Sequence, residues 1–384
     1  MRKHSPPGVA ALNSNPSSPL LDTLERQDGI FARPYSILQE AIAQHAFPAA
    51  SIAITHCGGL VALKAFGRFT YEPNSPAVTP TTLFDLASVT KIVATTSMAM
   101  LLYERGLLDL DAPVDAIVPE FLQAVSDARR HNVTLRMLLA HSSGLPAYEK
   151  LFLRAHTRDE LLQAAFATPL ASNPGSRADY SDIGFILLGV ALERIADESL
   201  DRFCQRELFA PLGMINTTFN PPKEIRAQIP PTTDDRSFRH RLIQGEVQDE
   251  NASVLGGVAG HAGVFSTAAD LACFAHAILN AGRTVLRNTE TIALFTRRES
   301  VPPGTSRALG WDTPSALSQS GNYFRPTSFG HLGYTGTSLW VDPDRQLSIT
   351  LLTNRTWRDC SNQAIKQVRP RFHDAVIEAL EKSV

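Results

Sequence analysis

The residues Ser88-Val89-Thr90-Lys91 stand where an apolar run, Leu83 to Ala87, gives way to a helical pattern from Ile92 to Leu108. Positions three apart lie on one face of a helix, so the lysine amine can approach the serine hydroxyl. A serine is a weak nucleophile by itself, and a neighbouring lysine can act as its proton acceptor. An ordinary lysine is protonated at pH 7, so this interpretation requires burial or a nearby cation to lower the pKa of Lys91.

The composition is that of a globular protein and argues against several kinds of function. Hydrophobic residues make up 43% of the 384 positions, enough for a large core in one two-part domain or in two domains. A formal net charge of −2, without a cluster of lysine or arginine, argues against nucleic acid and anionic membranes as partners. The four cysteines have no zinc or Cys-x-x-Cys spacing and are expected to be free thiols: Cys57, Cys204, Cys273 and Cys360.

Residues 1–30 are punctuated by proline and glycine, so we expect a flexible leader there, with a short helix at 20–27. Arg2 and Lys3 are not followed by an apolar stretch of the length that a signal peptide needs. The sequence has no run of about 18 apolar residues, so no transmembrane helix is predicted. The sequence as written therefore indicates a cytoplasmic protein, whereas a missing upstream segment would make it periplasmic or secreted.

Strands are expected only near the two ends of the folded part, which is predicted to begin near Tyr35. The β-rich segments 49–55 and 60–69 are predicted to form one hairpin. The alternating segments 329–341 and 346–354 are predicted to form a second one. Helical patterns dominate from Ser88 to about Leu279 and also cover 37–44 and 363–382. This order predicts a sheet whose edges are contributed by distant parts of the sequence.

A second candidate segment is Tyr180-Ser181-Asp182, which precedes the apolar helix predicted from Ile183 to Ile195. A tyrosine at such a junction can act as a proton shuttle if a nearby cation lowers its pKa toward neutrality. The alternative is a structural role, with Ser181 or Asp182 as the N-terminal cap of the helix.

A third segment, His331-Leu332-Gly333-Tyr334-Thr335-Gly336, is predicted to open a β-strand. Glycines beside a strand edge allow a substrate backbone to approach and pair, and a neighbouring N–H can point at a developing oxyanion. The alternative is a bulged edge strand without a functional role.

Together the three segments, in this order and spacing, resemble the serine β-lactamase and DD-peptidase superfamily. The resemblance is strongest to its class C-like branch of peptidases, family VIII esterases and muropeptide amidases, and it covers about residues 35–380. Three further segments support it, namely Leu138 to Leu145, Pro211 to Met214 and Gly260 to Ala268.

The resemblance implies an α/β (α+β) fold, in which an antiparallel sheet flanked by helices forms a sandwich beside an all-helical subdomain. We expect a single catalytic domain over residues 31–384. Its α/β part would comprise about 31–87 and 300–384, and its helical part about 95–299. The active site would lie in the cleft between these two parts. A small molecule is the expected substrate, and neither a cofactor nor a metal is implied.

The resemblance also assigns roles to residues. Ser88 attacks a carbonyl carbon, and Lys91 and Tyr180 share the proton transfers. The backbone N–H groups of Ser88 and Tyr334, next to Gly333, form the oxyanion hole. Water then hydrolyses the acyl-enzyme.

Two departures from the family pattern bear on the substrate. Asp182 stands where many penicillin-hydrolysing members have asparagine, and an ionised aspartate cannot donate a hydrogen bond to an acylamide carbonyl. His331 and Leu332 stand where those members have lysine and threonine, so a cation and a hydroxyl that would contact a substrate carboxylate are missing. Both departures argue against efficient β-lactamase activity.

The sequence therefore predicts an amidase or peptidase of small cell-wall fragments, because Asp249 to Ala252 and Gly260 to Gly263 resemble a subgroup associated with muropeptide turnover. The alternatives are a carboxylesterase, and a weak β-lactamase or penicillin-binding sensor without turnover. Glu250 and His261 are candidates for the substrate cleft, although the first could be a solvated carboxylate and the second a histidine bonded to backbone. The sequence has no Gly-x-Ser-x-Gly, His-Glu-x-x-His or Walker motif that would indicate another enzyme class.

Overall fold

The computed structural model describes residues 20–358 and 360–383, so most of the predicted leader, residues 1–19, lies outside the described residues. The rest of that leader, residues 20–30, has regular secondary structure. It contains strand β1 (Leu21–Asp22), a 3-10 turn and helix α1 (Gln27–Ile30). The edge of the sheet provides the partners, because Thr23 N–H donates to Leu60 O at 3.0 Å. The ordered part of the chain thus begins earlier than Tyr35.

The main sheet has six strands in the order β1-β3-β2-β11-β10-β9, all antiparallel except the β1–β3 pair. Its remaining strands are β2 (Ala49–His56), β3 (Gly59–Gly67), β9 (Phe329–Leu332), β10 (Ser338–Asp342) and β11 (Leu347–Thr353). The edge strands β1 and β9 come from distant parts of the sequence, as predicted, and the central pair β2–β11 joins its two ends. The antiparallel sheet flanked by helices confirms the predicted fold class.

Helices cover both faces of this sheet, which explains why its central strands β2 and β11 are almost entirely buried. Ala50, Ile52 and Ile54 of β2 pack into a core with helices α2 (Ala32–Ala43) and α12 (Ile365–Glu381). Ala49 and Ala53 point the other way, into the core that the sheet shares with the helical part. The alternation of side chains along one strand thus ties the two parts of the molecule together.

The second predicted hairpin differs from the structure in one respect. Residues 329–341 form two antiparallel strands, β9 and β10, rather than one. A tight turn separates them, in which Gly333 N–H donates to Thr337 O at 2.8 Å. A Cβ atom on Gly333 would lie 1.9 Å from Thr337 Oγ1 and 2.4 Å from Leu86 O, so only glycine fits there. The third segment therefore closes a strand and forms a turn, and the prediction that it opens a strand was wrong.

The middle of the chain is mainly helical, as predicted. Its helices are α3 (Ser97–Glu104), α4 (Glu120–Gln123), α5 (Leu135–Leu139), α6 (Arg158–Phe166), α7 (Asp182–Ala196), α8 (Leu200–Cys204), α9 (Glu250–Val254), α10 (Ala268–Leu279) and α11 (Thr289–Thr296). Several 3-10 segments and π-helices at Lys91–Thr96 and Gln205–Phe209 complete it. Among residues 20–358 and 360–383, no helix is long and apolar enough to cross a membrane.

The expectation that strands occur only near the ends was wrong. A three-stranded sheet joins β4 (Phe84–Asp85), β8 (Val264–Ser266) and β5 (Thr218–Phe219). A separate hairpin joins β6 (Pro231–Asp235) and β7 (Arg241–Gln244). Strands of two to five residues are too short to show an alternating pattern, which is why the sequence did not reveal them.

Candidate active site

A cleft of about 900 Å³ lies between the sheet and the helical part. It is lined by residues from all three candidate segments and by polar side chains from several other elements. Its lining includes Ser88, Tyr148, Tyr180, Asp182, Asp249, Glu250, His261, Leu332, Gly333, Tyr334, Arg355, Lys366 and Arg369. The structure thus brings together segments that are up to about 280 positions apart in the sequence.

Ser88 lies in a 3-10 turn, Ala87–Val89, between β4 and the π-helix. The preceding residue, Ala87, has a φ of +47°, which is unfavourable for a side chain with a Cβ. Asp85 stabilises this backbone, because its carboxylate accepts the N–H of Ala87 at 2.8 Å and that of Gln248 at 2.7 Å. Burial raises the pKa of Asp85 to about 6 against these two bonds, so the carboxylate is ionised at pH 7.

Lys91 is fully buried, and its amine lies among three oxygen atoms. Nζ is 3.0 Å from Ser88 Oγ, 2.6 Å from Asp182 Oδ1 and 3.1 Å from the backbone oxygen of His261. Burial alone would lower the pKa of Lys91, but the charge of Asp182 and the neighbouring Tyr180 outweigh burial and raise it. This is the reverse of the lowered pKa that the sequence argument required.

Tyr180 approaches Ser88 from the other side, with 2.7 Å between its Oη and Ser88 Oγ. Burial raises the pKa of Tyr180, and the charge of Asp182 raises this pKa further. The ammonium of Lys91 lowers it, but not enough to reverse the shift. Tyr180 therefore carries its proton at neutral pH, contrary to the expectation that a nearby cation brings its pKa toward neutrality. The Tyr180 ring packs against His141, with 4.7 Å between ring centroids.

The second segment contains a helix cap and two residues that contact the candidate nucleophile and base. Ser181 is the N-cap of α7, because its Oγ accepts the N–H of Gly184 at 3.0 Å. Tyr180 and Asp182, on either side of it, contact Ser88 and Lys91. Capping fixes the start of the helix and thereby places both neighbours beside Ser88.

His331 lies behind the cleft lining and is only 3% exposed. Its Nδ1 donates to the backbone oxygen of Leu332 at 2.8 Å, and its Nε2 has no hydrogen-bond partner within the described part of the chain. Burial lowers the pKa of His331 well below its ordinary value, and Lys91 and Arg307 lower it further. The imidazole is therefore neutral and does not replace the positive charge of a lysine.

The turn after β9 is held against the segment that carries Ser88. Thr335 Oγ1 donates to Asp85 O at 2.7 Å, and Thr337 Oγ1 donates to Leu86 O at 2.9 Å. The side chain of Tyr334 is half exposed and points away, with its ring 4.3 Å from the guanidinium of Arg355. Among the described residues no protein atom accepts the Tyr334 N–H, so this donor is available to a ligand beside Ser88.

Two arginines that the sequence analysis missed fix this turn by its carbonyl groups. Arg369 is buried, and its Nη2 donates to Gly333 O at 2.7 Å and to Thr337 O at 2.8 Å. Arg355 Nε donates to Tyr334 O at 2.6 Å. Burial lowers the pKa of Arg369 to about 9, so it remains a cation at pH 7. The only sequence signal for it was an arginine between apolar residues of the last helix.

The two cleft candidates from the sequence both line the cleft. His261 Nε2 lies 2.8 Å from Asp249 Oδ1, so its ring is paired with a carboxylate rather than with backbone. Asp249 also caps α9 by accepting the N–H of Ala252 at 2.8 Å. Glu250 follows it beside Tyr148, and burial raises the pKa of Glu250. Neither Asp249, which begins the segment Asp249 to Ala252, nor Tyr148 was predicted as a site residue.

Comparison with known proteins finds relatives in sequence and in fold. The chain is 32% identical over 343 residues to the putative D-alanyl-D-alanine carboxypeptidase of Escherichia coli (strain K12), covering 80% of this chain and 79% of the relative. It is 33% identical over 343 residues to the N-acetylmuramyl-L-alanine amidase of Bacillus subtilis (strain 168), covering 80% of this chain and 77% of that protein. The solved structure of EstCE1, a hydrolase with promiscuous acyltransferase activity, shares the fold, with a TM-score of 0.74 at 22% identity over 91% of this chain and 99% of the other.

The model of the Beta-lactamase family matches residues 36–365, which is most of the chain. The match spans both the sheet and the helical part, and it includes each of the three segments that carried the resemblance. The family inferred from the sequence is confirmed, and this chain is a hydrolase that belongs to the beta-lactamase family.

Proposed function

We propose that this protein is a serine amidase or peptidase that cleaves small cell-wall fragments of the muropeptide type through an acyl-enzyme. One observation carries the proposal. Ser88 Oγ is shared between Lys91 Nζ at 3.0 Å and Tyr180 Oη at 2.7 Å, in a cleft where no atom of the described residues accepts the Tyr334 N–H. This arrangement supports Ser88 as the nucleophile, Lys91 and Tyr180 as proton carriers and the Tyr334 N–H as an oxyanion donor.

In the proposed reaction, Ser88 attacks the amide carbonyl carbon while Lys91 and Tyr180 share the proton transfers. The N–H groups of Ser88 and Tyr334 stabilise the oxyanion, and each such donor contributes on the order of 3 kcal/mol to lowering the barrier. Tyr180 then gives its proton to the leaving nitrogen. Water hydrolyses the resulting ester and restores Ser88.

The choice of substrate rests on the cleft and on the relatives. Asp249 and Glu250 bring acidic groups to the cleft, while Arg355 and Lys366 bring basic ones, which suits a small peptide that carries charges of both signs. The carboxypeptidase and amidase names of two relatives point to the same class of substrate. The neutral His331 and the apolar Leu332 offer no cation or hydroxyl to the carboxylate of a penicillin, so we expect penicillins to bind weakly.

A carboxylesterase is the second candidate. The observation that favours it is the same neutral, apolar pair, His331 and Leu332, at the position where a cation would hold a substrate carboxylate. An ester also has a better leaving group than an amide, so it needs less protonation by Tyr180.

The test is product release and intact mass of the wild type and of Ser88→Ala with a muramyl peptide, a p-nitrophenyl ester and a penicillin. We expect cleavage of the muramyl peptide that depends on Ser88. Ester turnover without muramyl-peptide cleavage would overturn the proposal in favour of the carboxylesterase. A stable penicillin adduct without any turnover would favour a sensor.

A further inference from the structure

The three N–H bonds of the Lys91 ammonium are all occupied by acceptors. These are Ser88 Oγ at 3.0 Å, Asp182 Oδ1 at 2.6 Å and the backbone oxygen of His261 at 3.1 Å. An ammonium has three donors and no acceptor site. Lys91 in this state cannot take the proton of Ser88 unless it gives up one of its own.

We propose that Asp182 receives this proton, as a positioning residue that acts on Ser88 through Lys91. The contact to Asp182 is the shortest of the three, and the carboxylate is the only ionisable acceptor among them. The Lys91 side chain is 0% exposed and that of Asp182 is 16% exposed, so the transfer needs no exchange with bulk water.

With an amide substrate, each proton and electron pair moved during acylation of Ser88 has a defined acceptor. The Ser88 oxygen bonds to the carbonyl carbon, the Ser88 proton passes to Nζ of Lys91, and a different Nζ proton passes to Asp182. The π electrons of the carbonyl become the oxyanion. When the carbon–nitrogen bond breaks, the leaving nitrogen takes the Tyr180 proton, Tyr180 recovers one from Lys91, and Lys91 recovers its own from Asp182.

This route keeps the net charge of the site constant. The negative charge leaves Asp182 and reappears on the substrate oxygen, while Lys91 remains a cation throughout. The competing route starts from a Tyr180 phenolate, which would place a second anion close to Asp182 in a buried site. Burial and Asp182 both oppose ionisation of Tyr180, so that route requires loss of a proton to solvent at high pH.

The experiment measures how fast an alkyl fluorophosphonate labels Ser88, by intact mass, as a function of pH. In this reaction the Ser88 oxygen bonds to phosphorus and fluoride leaves, so no leaving group needs a proton from Tyr180. The variants are Asp182→Asn, which removes the proton acceptor, and Asp182→Glu, which keeps a carboxylate. Asp179→Asn is the matched control, because Asp179 is 41% exposed and pairs with Arg177 rather than with Lys91.

We expect the wild type, Asp179→Asn and Asp182→Glu to label at rates that are flat across neutral pH. Below the pKa of Lys91, which burial lowers once the charge of Asp182 is removed, Asp182→Asn should label more slowly than the wild type, and its rate there should rise about tenfold per pH unit because it needs a neutral Lys91. A flat profile or an undiminished rate in Asp182→Asn would overturn the inference. A wild-type rate that rises in the same way, or a wild type that is not labelled, would also overturn it.

The inference rests on Ser88 as the nucleophile of the proposed function, but not on its substrate. Labelled Ser88 together with an uncut muramyl peptide would refute the proposed substrate and leave the proton route standing. Melting curves of the three variants identify any that lose labelling because they unfold. If Asp182→Asn unfolds, the labelling rate of Asp182→Glu is compared with that of the wild type instead.

Discussion

Thr337 donates its hydroxyl proton to the backbone oxygen of Leu86 at 2.9 Å, across 251 positions of sequence. Leu86 lies two residues before Ser88, and Thr337 ends the turn that contains Tyr334. Together with the bond from Thr335 Oγ1 to Asp85 O at 2.7 Å, this hydroxyl holds the candidate oxyanion donor beside the candidate nucleophile.

Thr337→Val should therefore lower kcat more than it lowers stability. Loss of one buried hydrogen bond costs about 1 kcal/mol of unfolding free energy, whereas a displaced oxyanion donor costs about tenfold or more in kcat. Thr350→Val is the matched control, since Thr350 Oγ1 is buried in β11 without a partner among the described residues. Urea unfolding and steady-state kinetics of both variants check this. Equal effects on kcat would contradict a role for the Thr337 contact.

Ser88→Ala should abolish turnover and leave the fold unchanged. It removes one half-buried hydroxyl from the cleft, so the unfolding free energy should change by less than about 1 kcal/mol. Turnover should fall by at least about 10⁴-fold, because the oxyanion donors and the substrate site remain but the nucleophile is lost. Product release with intact-mass analysis measures this, and an active variant would refute the proposed mechanism.

Lys91→Ala should abolish acylation and also destabilise the protein. It leaves the carboxylate of Asp182 without its partner at 2.6 Å, and breaking a buried ion pair costs about 3–5 kcal/mol. The double variant Lys91→Ala with Asp182→Asn should recover much of this stability and none of the activity. Urea unfolding of the two single variants and the double variant gives the comparison. A double variant that is no more stable than Lys91→Ala would show that the unpaired charge is not the cause.

His373→Gln should change how stability depends on pH. Burial lowers the pKa of His373 from 6.5 to about 3, so the folded protein keeps this imidazole neutral where the unfolded chain takes up a proton. The stability it supports is fully present above pH 6.5 and is lost as pH falls from 6.5 toward 3. Relative to the wild type, the variant should gain about 1.4 kcal/mol per pH unit below pH 6.5.

Denaturant unfolding at pH 7.5, 5.5 and 4.5 tests this difference, which isolates His373 from the other titrating groups. Glutamine can still donate to the backbone oxygen of Ser320, the partner of His373 Nδ1 at 2.9 Å. Parallel stability curves for the two proteins would show that His373 does not titrate as described.

The sequence was sufficient where a pattern repeats along an element. The helices from Asp182 to Ala196 and from Ile365 to Glu381, and the hairpin of β2 and β3, lie close to their predicted positions. Apolar periodicity carries this information because each such element buries one or two faces over several turns or strand repeats.

The sequence was insufficient where one residue depends on a distant one. The spacing of Ser88 and Lys91 suggested a base, but the protonation of Lys91 is set by Asp182, 91 positions away. The path of the turn at Gly333 is fixed by Arg369 and by the oxygen of Leu86, which no local pattern indicates. Side-chain types and their spacing therefore predicted which residues belong to the candidate site. Only the structure shows which of these residues form ion pairs and hydrogen bonds with one another.

The central pairing of β2 with β11 has a consequence for the order in which the enzyme is made. Ser88 and Lys91 leave the ribosome early, but the strand that pairs with β2 and the turn that contains Tyr334 emerge more than 240 residues later. A growing chain therefore contains its candidate nucleophile long before it can fold the sheet that completes the proposed oxyanion hole. Synthesis itself thus delays hydrolytic activity until almost the whole chain has been translated.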